Sequence, residues 1–151
     1  MDPLTITPAA PEEYEWCARL MASNEPWVTL GRGYAESLAA VSHPEYVILL
    51  ARRGGQRLGF IRIHPRGVAG SPYIASVAVE QANRGEGLGT ALVAHAEGMY
   101  KAQARFIFLC VSSFNTRARE LYERLGYTVV NELKDYVRDG LDETLMLKRL
   151  A

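Results

Sequence analysis

The chain has 151 residues, 48% of them hydrophobic, which suffices for one domain with its own core over residues 1–151. Lysine plus arginine and aspartate plus glutamate both number 17, so the bulk charge indicates neither a nucleic-acid-binding nor a membrane-surface protein. No apolar run approaches the roughly 18 residues of a membrane span, and Met1 is not followed by a basic and then an apolar stretch, so we expect a cytoplasmic protein.

The first half of the chain is predicted to hold short strands and two helices. Their order is strand 4–7, helix from 12, break 24–33, helix 34–41, strand 46–51, strand 58–64 and loop 65–72. The run 46–51 is apolar throughout, which predicts a strand buried on both faces. Across a Gly-Gly turn, residues 58–64 put Ile61 and Ile63 on one face and Phe60, Arg62 and His64 on the other, which predicts a half-buried partner strand.

The second half is predicted to alternate strands with helices and to end in a hairpin. The order is strand 73–79, helix 88–99, strand 105–111, helix 115–125, strand 127–137 and strand 141–150. Gly126 is expected as a left-handed helix cap, and Asp139-Gly140 is a favoured hairpin dipeptide. These elements predict the α/β class with a mixed sheet.

Cys17 and Cys110, the two cysteines, both lie in apolar runs. Neither belongs to a CxxC pattern or has a histidine close by, so we expect no disulfide framework and no metal site. Both are expected to be small, buried core residues.

A glycine-punctuated segment joins a predicted buried strand to a helix, and it reads Arg84-Gly85-Glu86-Gly87-Leu88-Gly89-Thr90. Free amides and the positive end of the helix dipole meet there, which predicts an anion site that glycines let a phosphate approach. The spacing fits neither a GxGxxG fingerprint with an acid about 20 residues on nor the Gly-Lys-Ser/Thr of a P-loop. The alternative is that these glycines serve only the geometry of the turn.

Together with Val77-Ala78-Val79 before it, the pattern Arg84-x-x-Gly87-x-Gly89 resembles motif A of the GNAT superfamily of N-acetyltransferases. The resemblance implies an acyl-CoA N-acyltransferase fold, with a mixed, mostly antiparallel sheet of six or seven strands and about four helices. It implies that Val77 and Val79, on either side of Ala78, pair their backbone with the pantetheine arm of coenzyme A. It also implies that the pyrophosphate is cradled by Arg84, Gly85, Glu86, Gly87, Leu88, Gly89 and Thr90.

A second pattern resembles motif B of the same family, Asn115-x-x-Ala118-x-x-Leu121-Tyr122-x-x-x-Gly126-Tyr127. On a helix, Asn115 and Tyr122 differ by only about 20° around the axis, and Ala118 lies on the same stripe and leaves room for a cofactor arm. Leu121 and Leu125 are expected to pack on the sheet. Asn115 is also explained as an N-cap and Tyr122 as a half-buried core tyrosine.

Transfer of an acetyl group to an amine requires three tasks. An amine of pKa roughly 10 must lose a proton, the thioester oxygen must be polarised, and the departing thiolate must be protonated. The resemblance assigns the last task to Tyr122, and backbone amides near Val77 to Val79 are expected to perform the second. We expect the amine to attack acetyl-CoA directly in a ternary complex, without an acyl-enzyme. Cys110 is the thiol that could form an acyl-enzyme, but nothing in the apolar strand around it would lower its pKa.

The proton acceptor is where the chain departs from the pattern. The run 109–115 is similar to that of the ribosomal-protein alanine N-acetyltransferases, but those proteins carry a glutamate at the position of Cys110. Glu80, Asp135 or a water chain are the substitutes that the sequence offers. Both acids are equally explained as ordinary solvated side chains.

Two segments are expected to border the acceptor. The first contains Glu25, Trp27 and Arg32, although Trp27 is also explained as a core anchor, and the second contains Asp135 and Tyr136. Peptide acetyltransferases carry paired tyrosines at the second position, which leaves a small cationic amine as the alternative to a peptide N-terminus. We expect no nucleic-acid, membrane or metal partner, and either a monomer or a homodimer. The competing hypothesis is a non-catalytic coenzyme A-binding regulatory module. The presence of both Tyr122 and an intact motif A argues against it.

Overall fold

Seven strands and four α-helices make up residues 2–150, the part of the chain that the computed structural model describes. The strands are β1 (Leu4–Pro8), β2 (Val47–Arg53), β3 (Gln56–Val68), β4 (Ser71–Val79), β5 (Phe106–Ser112), β6 (Thr128–Arg138) and β7 (Leu141–Arg149). The helices are α1 (Tyr14–Ala22), α2 (Tyr34–Val41), α3 (Leu88–Tyr100) and α4 (Thr116–Arg124), with 3₁₀ turns at Pro11–Glu13 and Gln81–Asn83.

All strands belong to one sheet in the order β1-β2-β3-β4-β5-β7-β6. Neighbouring strands run antiparallel except for β4 and β5, which are parallel. The predicted class, a mixed and mostly antiparallel sheet with about four helices, is confirmed. None of the helices described is long and apolar enough to cross a bilayer.

Helices cover both faces of the central strands. On one face α3 packs on a cluster that includes Ile61 and Met146, and on the other α1 and α2 pack on a cluster that includes Phe60. The expectation that β3 is half-buried is therefore wrong, because Phe60 and Ile61 point to opposite faces and both are fully buried. The alternating pattern predicted that one face of β3 is exposed to solvent, but helices cover both of its faces.

The segment 65–72 is not a loop, as the sequence predicted, but the end of a long hairpin. β3 runs on to Val68 and β4 begins at Ser71, with the pairing shifted between His64 and Val68. An irregular register of this kind tolerates Pro65, which has no N–H to donate. Gly67 is required there, because a Cβ atom would lie 2.6 Å from Cβ of Tyr73.

A cleft opens where β4 and β5 part. Their parallel pairing covers only Tyr73 with Phe108 and Ile74 with Leu109, and β4 has a register shift just beyond Ile74. β5 meanwhile continues its pairing with β7 as far as Ser112 opposite Glu143. The last residues of β4 therefore present a backbone edge to the cleft.

Helix α4 flanks this cleft and has the predicted ends. Asn115 is its N-cap, and the side-chain oxygen accepts a hydrogen bond from the Ala118 amide at 3.4 Å. Gly126 closes it with φ +99°, a left-handed conformation that suits glycine. Leu125 packs on the core as expected, but Leu121 does not, because it faces a groove beside the glycine loop.

Candidate active site

A groove of about 390 Å³ lies between the glycine loop and α4. It begins at Val79, the last residue of β4, and ends at the side of α4. Its lining includes most of the predicted loop residues, namely Arg84, Gly85, Gly87, Leu88, Gly89 and Thr90. The predicted anion-site segment and the predicted motif B helix therefore face each other.

The glycines of the loop are required by its backbone. Gly85 has φ +82°, and Gly87, the N-cap of α3, has φ +78°, which side chains rarely adopt. A Cβ atom at either position would meet no atom within 4 Å, so the loop borders open space. The first amides of α3 have no partner within the helix, so their N–H groups remain available to an anion.

The groove is positively charged through three arginines, Arg84, Arg117 and Arg124. Arg84 is fixed by the side-chain oxygen of Asn24, to which its Nη2 donates. The loop's one acid, Glu86, does not line the groove and pairs instead with Arg53 at 3.3 Å.

Sequence reasoning missed Arg117 and Arg124, although their separation of seven residues places both on one face of α4. Arg117 occupies the first turn of α4, where a cation opposes the helix dipole. This position is unfavourable for the helix itself but matches an anion in the groove.

A second cavity of about 270 Å³ lies in the cleft between β4 and β5. We call it the acceptor pocket because it is lined by most of the residues that the sequence predicted to border an acceptor. Val77 of β4, Cys110 and Ser112 of β5, and Tyr122 of α4 line it. Asn115 lines it as well. Ala118 lines both this pocket and the groove, so the two cavities adjoin there.

Ala78, between the two valines, is buried in the core on the α1 side of the sheet. Its side chain is therefore turned away from the cavities. Any contact that it makes with a ligand must come from its backbone.

Tyr122 reaches the acceptor pocket from the α3 side of the sheet. Its ring meets Tyr127 edge-on at 6.0 Å between centroids, and Tyr127 is itself fixed by a 2.9 Å hydrogen bond to Glu97 Oε2. Burial raises the pKa of Tyr122 to about 12. The phenol therefore keeps its proton at neutral pH.

The predicted substrate residues divide into two groups. Glu25, Trp27, Arg32 and Tyr136 line the acceptor pocket. Trp27 is only 6% exposed and also packs in the core, so both of its predicted roles are compatible with its position. Tyr136 is 69% exposed on the β6–β7 hairpin.

Glu80 and Asp135, the predicted substitutes for the missing base, line neither cavity. Glu80 precedes the Gln81–Asn83 turn beyond the end of β4. Asp135 is turned into its own hairpin, where Oδ1 accepts a 2.7 Å hydrogen bond from the Gly140 amide.

The two cysteines differ. Cys17 is fully buried as predicted, and burial raises its pKa to about 12. Cys110 is only half-buried, contrary to prediction, because it lies in the cleft that opens beside β5. Burial raises the pKa of Cys110 as well, so its thiol stays protonated.

Several residues of the acceptor pocket gave no signal in the sequence. The Arg62 guanidinium lies 4.3 Å from the centre of the Tyr46 ring and donates to Ser76 Oγ at 3.2 Å. Burial lowers the pKa of Arg62. Tyr73 of β4 and Glu143 of β7 line the pocket as well. They come from distant parts of the chain, so no local pattern joins them.

The comparisons with known proteins agree with this geometry. A family model described as "Acetyltransferase (GNAT) family" matches residues 9–127. An uncharacterised N-acetyltransferase of Methanocaldococcus jannaschii is 40% identical over 82 residues, which cover 53% of this chain and 53% of that protein. The match thus spans about half the length of the curated relative.

Three solved structures resemble the whole chain. A GNAT-family protein of Desulfovibrio desulfuricans has a TM-score of 0.84 at 20% identity, over 99% of this chain and 100% of that one. An aminoglycoside 6'-N-acetyltransferase complexed with coenzyme A has 0.79 at 19%, over 97% of each chain. The ribosomal-protein-S18-alanine N-acetyltransferase of Escherichia coli has 0.76 at 19%, over 99% of this chain and 95% of that one. At these identities the likeness shows the fold alone.

Proposed function

The chain belongs to the acetyltransferase (GNAT) family, and from that membership we propose that it transfers the acetyl group of acetyl-CoA to a primary amine. One observation carries the proposal. A basic groove on a glycine loop adjoins, at Ala118, a pocket that contains a protonated tyrosine. The first cavity suits a pyrophosphate and the second suits the reacting groups.

The groove fits coenzyme A, which as its acetyl thioester supplies the activated acyl group. Backbone amides from Gly85 to Thr90, together with Arg84, Arg117 and Arg124, would hold the pyrophosphate. The backbone of Val77 to Val79 would hold the pantetheine arm, because among residues 2–150 β4 has no strand partner on the β5 side beyond Ile74. Asn115, which borders the same cleft, would contact the arm as well.

Tyr122 would act as the acid. The phenol holds its proton at neutral pH, and burial raises its pKa to about 12. Because a thiolate of pKa about 8.5 is the weaker base, its protonation by Tyr122 would have to be coupled to the return of a proton from the acetylated nitrogen to the phenol. Cys110, whose thiol also stays protonated, is a poor nucleophile. Direct attack by the amine in a ternary complex is therefore the course that the pocket favours.

The acceptor would be either a small cationic amine or the amine of a peptide or protein. Glu25 and Glu143 give the pocket carboxyl groups that suit an ammonium, while Arg32 and Arg62 lie beside them. A pocket of about 270 Å³ accommodates one amine-bearing arm of a larger molecule rather than the whole of it. We therefore expect the pocket to discriminate between acceptors by the shape and charge of the arm that carries the amine.

The test combines a melting experiment with thiol detection. Acetyl-CoA at a hundred times its Kd should raise the stability by about 2.7 kcal/mol, since it binds only the folded protein. With a panel of polyamines, aminoglycosides and peptides, one acceptor class should release free thiol. A melting shift without thiol release for any amine would favour a regulatory coenzyme A-binding module. Lack of any shift at millimolar acetyl-CoA would refute the groove assignment itself.

A further inference from the structure

Two carboxyl groups line the acceptor pocket among the described residues, those of Glu25 and Glu143. Glu25 is already engaged, since its oxygens accept hydrogen bonds from the Thr29 amide at 2.9 Å and the Thr29 hydroxyl at 2.7 Å. Oε2 of Glu143 is buried and makes no hydrogen bond of ordinary geometry within residues 2–150; the Ser112 hydroxyl beside it, which acts on the pKa of this carboxyl group, has no other partner there either. Beyond that hydroxyl, the carboxylate oxygen lacks the partner that a buried polar atom normally has.

The sheet topology puts Glu143 in this position. β7 lies beside β5, and Glu143 is opposite Ser112 at the last step of their pairing, where β4 has already diverged. Met146 of the same strand points into the α3-side core, so Glu143 points to the other face of the sheet. Tyr122 packs on the α3 side. The tyrosine and the glutamate thus approach one pocket from opposite faces.

We propose that Glu143 is the general base of the transfer, the group that takes a proton from the acceptor's ammonium. This inference rests on the proposed acetyltransferase function. One ammonium proton passes to the Glu143 carboxylate and frees the nitrogen lone pair. The nitrogen forms the amide bond while the C–S bond breaks, Tyr122 protonates the departing sulfur, and the second nitrogen proton restores the phenol. One proton, left on Glu143, returns to solvent.

The surroundings of Glu143 suit this task. Burial raises the pKa of its carboxyl group, while the neighbouring Ser112 hydroxyl and the Arg32 guanidinium oppose the change. Tyr73 and Cys110 also face it, and burial keeps both neutral by raising their pKa values. Tyr136 of the β6–β7 hairpin lines the same pocket. Glu143 is thus more basic than an exposed carboxyl group, yet Arg32 favours its ionised form.

The first test is the pH profile of the isosteric variant Glu143→Gln with the acceptor found in the amine panel. Near pH 7, kcat/KM for the acceptor should fall about 10²-fold, within the range for general base catalysis. The deficit should shrink as the pH approaches about 10, where a free amine needs no base. The matched control is Glu15→Gln, at a 64% exposed glutamate of α1 outside both cavities, which should keep the parent profile.

The second test needs no turnover. In the free protein with ¹³C-labelled glutamate, the carboxyl signal that Glu143→Gln removes should titrate above the ordinary value of about 4.3. In Arg32→Gln the same signal should titrate at still higher pH, because the opposing charge is gone. A signal that titrates at the ordinary value would contradict the proposal.

The outcomes separate the two claims. If the parent protein transfers acetyl groups and Glu143→Gln does so with the same pH profile, the base assignment is wrong while the proposed function stands. A loss that is equal at every pH would also overturn it, since a merely structural defect behaves in this way. If the parent protein acetylates no amine, the proposed function fails first and the role of Glu143 fails with it.

Discussion

The groove and the acceptor pocket adjoin at Ala118 but are built in different ways. The groove comes from one glycine loop and one helix, and it offers backbone amides and guanidinium groups. The pocket draws side chains from β3, β4, β5, β6, β7, α4 and the loop before α2. A site made from contiguous backbone leaves a readable pattern in the sequence, whereas a site assembled by strand order does not.

Because the two cavities are built separately, we predict that substitutions in the pocket lower turnover and substitutions in the groove lower coenzyme A affinity. The largest expected effect is on turnover, in the pocket. Tyr122→Phe keeps the ring and its contact with Tyr127 but removes the proton donor. We expect kcat to fall about 10²-fold, while KM for acetyl-CoA and the melting temperature change little. Steady-state kinetics with the identified acceptor at several pH values measure this.

A parent-like kcat in Tyr122→Phe would leave the tyrosine as a packing residue. A rise in KM for acetyl-CoA of the same size as the fall in kcat would be equally informative. It would mean that the groove and the pocket cannot be perturbed independently.

The groove should respond in binding rather than in turnover. Gly87→Val forces a β-branched residue to φ +78°, and the strain of about 1–3 kcal/mol either distorts the loop or destabilises it. Affinity for coenzyme A, measured by calorimetry, should fall about tenfold or more.

Gly55→Val is the matched control, because Gly55 has φ +81°, equally open surroundings and no place in either cavity. It should cost similar stability and leave coenzyme A affinity at the parent value. Parent-like affinity in Gly87→Val would contradict the assignment of the groove.

The sequence predicted the fold class, the loop, the N-cap Asn115 and the position of Tyr122, because each depends on a local pattern. It did not predict Glu143. The β6–β7 hairpin can place either strand beside β5, and only the order β5-β7-β6 brings Glu143 opposite Ser112. Cys110 was misjudged for the same reason, since its exposure follows from the divergence of β4 rather than from its apolar neighbours.

The errors at residues 65–72 and at Leu121 had another origin. The proline and glycines of 65–72 are typical of loops, but a shifted register lets a strand include them. Leu121 has the spacing of a core residue, yet α4 turns it towards Gly89, whose added Cβ would lie 3.6 Å from it. Propensity and periodicity describe only the element to which a residue belongs. In both cases the structure was determined by the neighbouring element, through strand pairing at 65–72 and through helix packing at Leu121.

The smallest predicted effect concerns Arg117, which lines the groove from the first turn of α4. Arg117→Gln removes one cation from an exposed position, where a charged contact is weakened by solvent. We expect coenzyme A to bind about three- to tenfold more weakly, with the deficit shrinking as salt is added. The helix should not suffer, because a cation at its N-terminal end opposes the dipole.

Arg19→Gln provides the control for net charge. Arg19 lies on α1, is 64% exposed and makes only a 3.9 Å ion pair with Glu15. Its loss lowers the total charge by the same amount as Arg117→Gln but leaves the groove intact, so affinity should stay at the parent value. Equal weakening in both variants would mean that coenzyme A responds to the overall charge of the protein. Weakening in Arg117→Gln alone, without a change in kcat, would assign this arginine to the groove.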